Sequence, residues 1–174
     1  MALMEATRPR AQLKDLRISF PRPDQPPLEV VSGISLNVAE GEFVAVVGPS
    51  GSGKSTILRA MCGLLQPAGG RVLVDGLEVI DPPPHVGFMF QKDALLPWKT
   101  VSGNIRVGAE LGGTPPAERA AQVASLIKLL RLEGFEDAWP RQLSGGMRQR
   151  VSLGRLLAYR PSLMLMDEPL GALD

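Results

Sequence analysis

The hydrophobic pattern divides the chain into short apolar runs before about residue 92 and longer helical periods after it. Residues 13–20 alternate in part, through Leu13, Leu16, Ile18 and Phe20, and this predicts an edge strand. Pro21, Pro23, Pro26 and Pro27 follow and predict an irregular loop. Residues 28–38 carry a second strand signal, with Ile34, Leu36 and Val38 on one face. Phe43, Val44, Ala45, Val46 and Val47 are consecutive and apolar, a run too short for a helix, and predict a buried strand. Residues 57–65 contain few breakers and predict a helix. Segments 71–74 and 77–80 flank Asp75-Gly76, a pairing suited to a tight hairpin.

Asp81 and the prolines 82–84 make a stiff break, after which residues 86–90 read as a short apolar strand ending at Gln91. Residues 92–100 predict an ordered loop with Leu95, Leu96 and Trp98 exposed or half-exposed. A weak helical signal covers 101–107 and a strong one 116–132, where Val123, Ile127 and Leu130 share a face and Pro116 suits the first turn. Ser144 can cap a helix running from 145 or 146 to about 159, which Pro161 ends. Leu163, Met164, Leu165 and Met166 form another buried strand, closed by Asp167, Glu168 and Pro169. The hairpin beside a parallel core predicts an α/β fold with either a mixed sheet or a small separate β subdomain.

Composition narrows the class. The 174 residues suit one domain, and 44% apolar content is enough for a core. A net charge of +1 gives no electrostatic case for a nucleic-acid partner. One cysteine, Cys62, allows neither an internal disulfide nor a cysteine metal cluster, and its place in the helix after residue 56 suits a small core residue. The first residues lack the apolar core of a signal peptide, and no apolar run approaches a bilayer span, so a cytoplasmic location is expected.

The chemistry begins at 48–56, GPSGSGKST, which fits G-x-x-x-x-G-K-[ST] and sits between a predicted strand and a predicted helix. Glycines let the backbone curl its N–H groups toward a phosphate, and a helix N-terminus adds partial positive charge there. Lys54 can reach the β- and γ-phosphates, and the Ser55 hydroxyl can hold Mg²⁺. The plainer reading is a glycine-rich strand-to-helix turn. Asp167 and Glu168 close the second apolar strand, where a phosphate-cleaving site needs a metal ligand and a general base for water. On their own they could equally be solvated acids. Residues 143–150, LSGGMRQR, offer a second anion site at a helix start, or simply a Ser-capped helix with a basic surface.

Taken together, these segments resemble the nucleotide-binding subunit of an ATP-binding cassette (ABC) transporter over about residues 13–174. GPSGSGKST resembles Walker A, LSGGMRQR the ABC signature, LMLMDEP at 163–169 Walker B, GALD at 171–174 the D-loop, and Gln91 the Q-loop. The segment 95–101, LLPWKTV, with 170–174, is similar to the subfamily serving nitrate, sulfonate and taurine importers. The resemblance implies a P-loop NTPase core with an N-terminal antiparallel β subdomain (13–91 and 160–174) and a helical signature subdomain (about 92–159). It implies that Gly48, Pro49, Ser50, Gly51, Ser52, Gly53, Lys54, Ser55 and Thr56 bind ATP, and that Phe20 stacks on adenine. Ser55, Gln91 and Asp167 would hold Mg²⁺. Glu168 and Gln91 would be catalytic. Two copies would pair head to tail, so that Ser144, Gly145 and Gly146 meet the other copy's nucleotide and Asp174 lies at the seam. A membrane permease would dock on the loop bearing Leu95, Leu96 and Trp98, with a solute-binding protein acting indirectly, at the cytoplasmic face of the membrane.

Family members continue well beyond the D-loop, with further core strands and a switch histidine, so the resemblance implies missing C-terminal strands and uncovered apolar surface. His85, beside three prolines, reads as a surface residue and not as that histidine. Two functions remain open: a transport ATPase subunit, or a module that binds ATP and barely hydrolyses it. A soluble ABC ATPase of DNA repair or translation would need coiled-coil insertions or a tandem cassette, and neither is present.

Overall fold

The computed structural model describes residues 9–92 and 94–169. The chain falls into two compact units, residues 1–84 and 85–174.

The first unit is built on an antiparallel sheet of β1 (Ala11–Arg22), β2 (Gln25–Val38), β3 (Gly69–Val74) and β4 (Leu77–Glu78), in the order β2-β1-β3-β4. β1 is therefore an inner strand, not the edge strand its sequence suggests. Leu13, Leu16 and Ile18 are all 2% exposed or less, and burial of these three side chains explains the inner position. The prolines do not break the strands either. Arg22 pairs with Gln25 around a tight Pro23-Asp24 turn, Asp24 having φ 55°. Pro26 and Pro27 lie on the outer strand β2, where the β1 register slips between Leu28 and Gln25 and one of the two missing N–H groups faces the open side. The Arg22 guanidinium donates to the Pro26 carbonyl at 2.9 Å. In β2 the register slips between Ile34 and Val31, opposite Leu16 and Ile18. Val38 is buried, Leu36 half-buried and Ile34 exposed, so the expected apolar face is only partly covered, and the bulge lies just before it. The hairpin between β3 and β4 forms as the sequence predicts, with Asp75 at φ 52° and Gly76 at φ 81°.

Residues 43–47 are not a strand. None of the described strands pairs with them, and Phe43 and Val47 are 83% and 89% exposed. A run of β-branched residues marks a segment able to pair, but a ladder exists only where a neighbour takes up its N–H and C=O groups. Helix α1 (Lys54–Met61) follows, three residues earlier than its apolar pattern suggests, because Gly53 at φ 89° turns the chain into it.

The second unit pairs β5 (Val86–Met89) in parallel with β6 (Leu163–Met166), register Val86↔Leu163 to Met89↔Met166. Between them in sequence come α2 (Val101–Leu111), α3 (Pro116–Leu129) and α4 (Gly145–Tyr159). α2 runs past its weak signal to Leu111 with Gly108 and Ala109 buried, and Thr100 caps its start, accepting from the Gly103 N–H at 3.2 Å. The core joins Val101, Ile105, Ala109, Val123, Ile127 and Val151. α2 and α4 cross closely at Gly108, where a Cβ would lie 2.0 Å from the Arg155 carbonyl oxygen. α4 starts at the Ser144 cap, whose hydroxyl accepts from the Met147 N–H at 3.2 Å, and ends with Arg160 in a left-handed conformation.

Candidate functional site

In the first unit the glycine loop runs from an exposed Gly48 into the N-terminus of α1. The curl needs small residues. A Cβ on Gly48 would meet Ser52 Oγ at 2.9 Å, and one on Gly53 would meet the Val30 carbonyl oxygen at 3.1 Å in a left-handed backbone. The Lys54 ammonium donates to the Gly48 and Pro49 carbonyls, each at 2.8 Å. Among the described residues no carboxylate pairs with it. No side chain caps α1, and its first turn holds no acid. A cation held by neutral carbonyls, beside a helix start that no N-cap side chain covers, fits the phosphates of a nucleotide. Pro49, Ser50, Gly51 and Ser52 lie along this loop and are exposed, whereas Ser55 and Thr56 are half-buried in the first turn of α1. Phe20, on β1 opposite Leu28, is 38% exposed.

In the second unit, β5 and β6 carry the other candidates past their paired ends. Met89 lies opposite Met166, so Gln91 and Glu168 stand equally far beyond the ladder. Gln91 Nε2 donates to Glu168 Oε2 at 2.6 Å, which brings the two expected catalytic side chains into contact. Asp167 is 5% exposed, and its N–H continues the ladder to the Met89 carbonyl at 2.9 Å. Glu168 takes φ 49°, a left-handed conformation rare for a residue with a side chain. No group of three or more His, Cys, Asp or Glu side chains is assembled for a metal among the described residues. A single buried carboxylate such as Asp167 would fit Mg²⁺ only with phosphate oxygens and water completing its shell. Ser144, Gly145 and Gly146 open α4 together. Asp174 and the rest of 171–174 lie outside the described residues.

Three residues of the second unit were not singled out from the sequence. Gln149, 7% exposed on α4, donates from Nε2 to the Glu168 carbonyl at 3.2 Å. Asn104, fully buried, accepts from the Leu96 N–H at 2.8 Å and donates to the Lys99 carbonyl at 3.0 Å, fixing the loop that carries Trp98. Arg155 donates to the Ala94 carbonyl at 2.8 Å, and burial lowers its pKa. Asn104 had a signal: it falls on the face defined by Val101 and Ile105, where a polar residue must find partners. Trp98 is 68% exposed and Leu95 and Leu96 are half-buried, in line with the loop's pattern. His85 is exposed, and its carbonyl accepts from the Ser162 N–H at 2.8 Å. A groove of about 430 Å³ beside α2 and α3, lined by Arg106, Arg119, Val123 and Ile127 among others, shares no residue with the candidate set.

Residues 31–171 match the family model described as ABC transporter. The chain is 50% identical over 147 residues to an uncharacterised ABC transporter ATP-binding protein of Methanocaldococcus jannaschii, covering 84% of this chain and 55% of that protein. It is 44% identical over 174 residues to the taurine import ATP-binding protein TauB of Pseudomonas putida, covering all of this chain and 63% of that protein. The chain thus spans 55% and 63% of the length of these two relatives. Among solved structures, it is similar to a dimeric bacterial ABC transporter cassette with TM-score 0.85 and 34% identity, over 94% of this chain and 76% of that one. A dimeric post-hydrolysis ATP-binding cassette bound to ADP and Pi gives TM-score 0.84 and 33% identity, with the same coverage.

Proposed function

This chain belongs to the ABC transporter family, and we propose that it is the ATP-binding part of an importer that couples ATP hydrolysis to uptake of a small solute of the taurine or sulfonate kind. The solute class is supported by the 44% identity to a taurine import ATP-binding protein. The hydrolytic role rests on the Gln91–Glu168 contact of 2.6 Å, which joins a carboxylate to a water-orienting amide at the ends of two parallel strands.

Bound ATP with Mg²⁺ supplies the γ-phosphoryl group that is cleaved. Lys54 and the N–H groups of the 48–56 loop would hold its phosphates, and Ser55, Gln91 and Asp167 would hold the metal. Glu168 takes a proton from the attacking water, which Gln91 orients. Phe20 stacks on adenine. Ser144, Gly145 and Gly146 supply donors to the nucleotide of a second copy, in a head-to-tail pair with Asp174 at the seam. A permease docks on the loop bearing Trp98, at the cytoplasmic face of the membrane, and a solute-binding protein delivers cargo to it. No helix among the described residues is long and apolar enough to cross a membrane, which suits a part that meets the bilayer through a partner.

The test is ATP turnover and ATP affinity in the parent and in Glu168→Gln. Loss of the general base should lower kcat by about a hundredfold or more while ATP still binds. Equal turnover in both removes Glu168 as the base. A parent that binds ATP and never hydrolyses it is the binding-only module.

A further inference from the structure

We infer that Gln149 is a positioning residue for Glu168. From α4 its amide fixes the main chain from which the carboxylate reaches Gln91. The inference deepens the hydrolytic reading above and rests on it for its catalytic consequence, though not for its geometry.

Two local preferences oppose the conformation that Glu168 adopts. Its φ of 49° lies in the left-handed region, which a Cβ disfavours. The next residue is Pro169, and a residue before proline is pushed toward extended backbone. Such a conformation persists only where its surroundings hold it. The β5–β6 register carries the chain as far as the Asp167 N–H, bonded to Met89, and sets Gln91 level with Glu168. That register cannot set the direction of the Glu168 side chain, because the chain leaves the extended conformation at this residue.

Beyond the ladder, two bonds from described residues grip Glu168. Gln91 Nε2 holds its carboxylate at 2.6 Å, and Gln149 Nε2 holds its carbonyl at 3.2 Å. With Gln149 only 7% exposed, water is poorly placed to replace the second bond. Gln149 also lies in the second turn of α4, the helix that Ser144, Gly145 and Gly146 open. A shift of this helix start is therefore delivered to the main chain of Glu168 through one side-chain amide.

The experiment uses the whole chain, labelled with ¹⁵N-glutamine, and follows the side-chain amide resonances of Gln91 by NMR. Glu168→Ala marks where those resonances fall once the carboxylate is gone. Gln149→Met, close in shape but without a donor, should move them to that same position in a folded protein. Unmoved Gln91 resonances in Gln149→Met overturn the inference, as does a Glu168→Ala spectrum in which they never shift. If Gln149→Met does not fold, Gln149→Asn withdraws the donor by one methylene and is judged by the same criterion. In turnover assays, Gln149→Met should lower kcat about tenfold with ATP affinity changed by less than about twofold, whereas a purely structural role would move both. A parent without turnover removes the hydrolytic reading and leaves the NMR result to decide the positioning.

Discussion

Lys54 shows how a single side chain can be ready for a ligand. Its ammonium is held by two neutral carbonyls of its own loop, at 2.8 Å each, and by no carboxylate among the described residues. Exchanging those carbonyls for phosphate oxygens would pair the ammonium with opposite charge, and a hydrogen bond to a charged group is worth about 1.5–3 kcal/mol. Lys54→Ala should therefore weaken ATP binding by about tenfold or more, measured by titration calorimetry, and unchanged affinity would refute its phosphate role. Cys62, also on the first unit, is 5% exposed, and burial holds its thiol pKa above the ordinary 9.0. The unfolded chain ionises this thiol first, so from about pH 9 upward it binds fewer protons than the folded chain, and stability falls as pH rises. In urea titrations between pH 8 and 10, Cys62→Ala should lose stability less steeply than the parent. Parallel slopes would mean that the thiol is not shielded.

Among the elements, α4 ties the candidate site of the second unit together. Its first turn is the second candidate anion site, Gln149 grips Glu168, and Arg155 grips the segment that follows Gln91 in sequence. Its approach to α2 depends on Gly108, where even a methyl group would stand 2.0 Å from a carbonyl oxygen. Gly108→Val should force the helices apart and cost about 3 kcal/mol or more, seen as a lower denaturation midpoint. An unchanged midpoint would mean that the two helices separate freely. The 3.6-residue period and Pro116 identified α3, though it ends at Leu129 and not at 132, and the Ser144 cap with Pro161 identified α4. The bulge in β2 and the inner position of β1 left no mark in the period, since both depend on which strand lies opposite.

For the whole molecule, the proposed reading makes the Trp98 loop the point where ATP chemistry reaches a membrane partner. Asn104 is fully buried and binds that loop at Leu96 and Lys99, which gives Trp98 a defined platform despite its 68% exposure. Trp98→Ala should leave ATP affinity unchanged and weaken recovery of the permease when the pair is co-purified. Equal recovery with parent and variant would refute the docking role. The exposed run at 43–47 belongs to the same scale. Its apolar character reads as core in the sequence, yet Phe43 and Val47 remain more than four-fifths exposed. Whether an apolar segment is buried is decided by what lies against it, and a linear pattern does not contain that partner.

The sequence by itself determined the glycine loop, the Ser144 cap, the Asp75-Gly76 hairpin and the family. Each depends on residues close together in the chain or on short strings whose chemistry is local. The tertiary structure alone decided that Gln91 reaches Glu168 across 77 positions, that Gln149 holds the Glu168 carbonyl, and that residues 43–47 form no ladder. Those outcomes follow from strand register and helix crossing, and both are fixed by packing between segments distant in sequence.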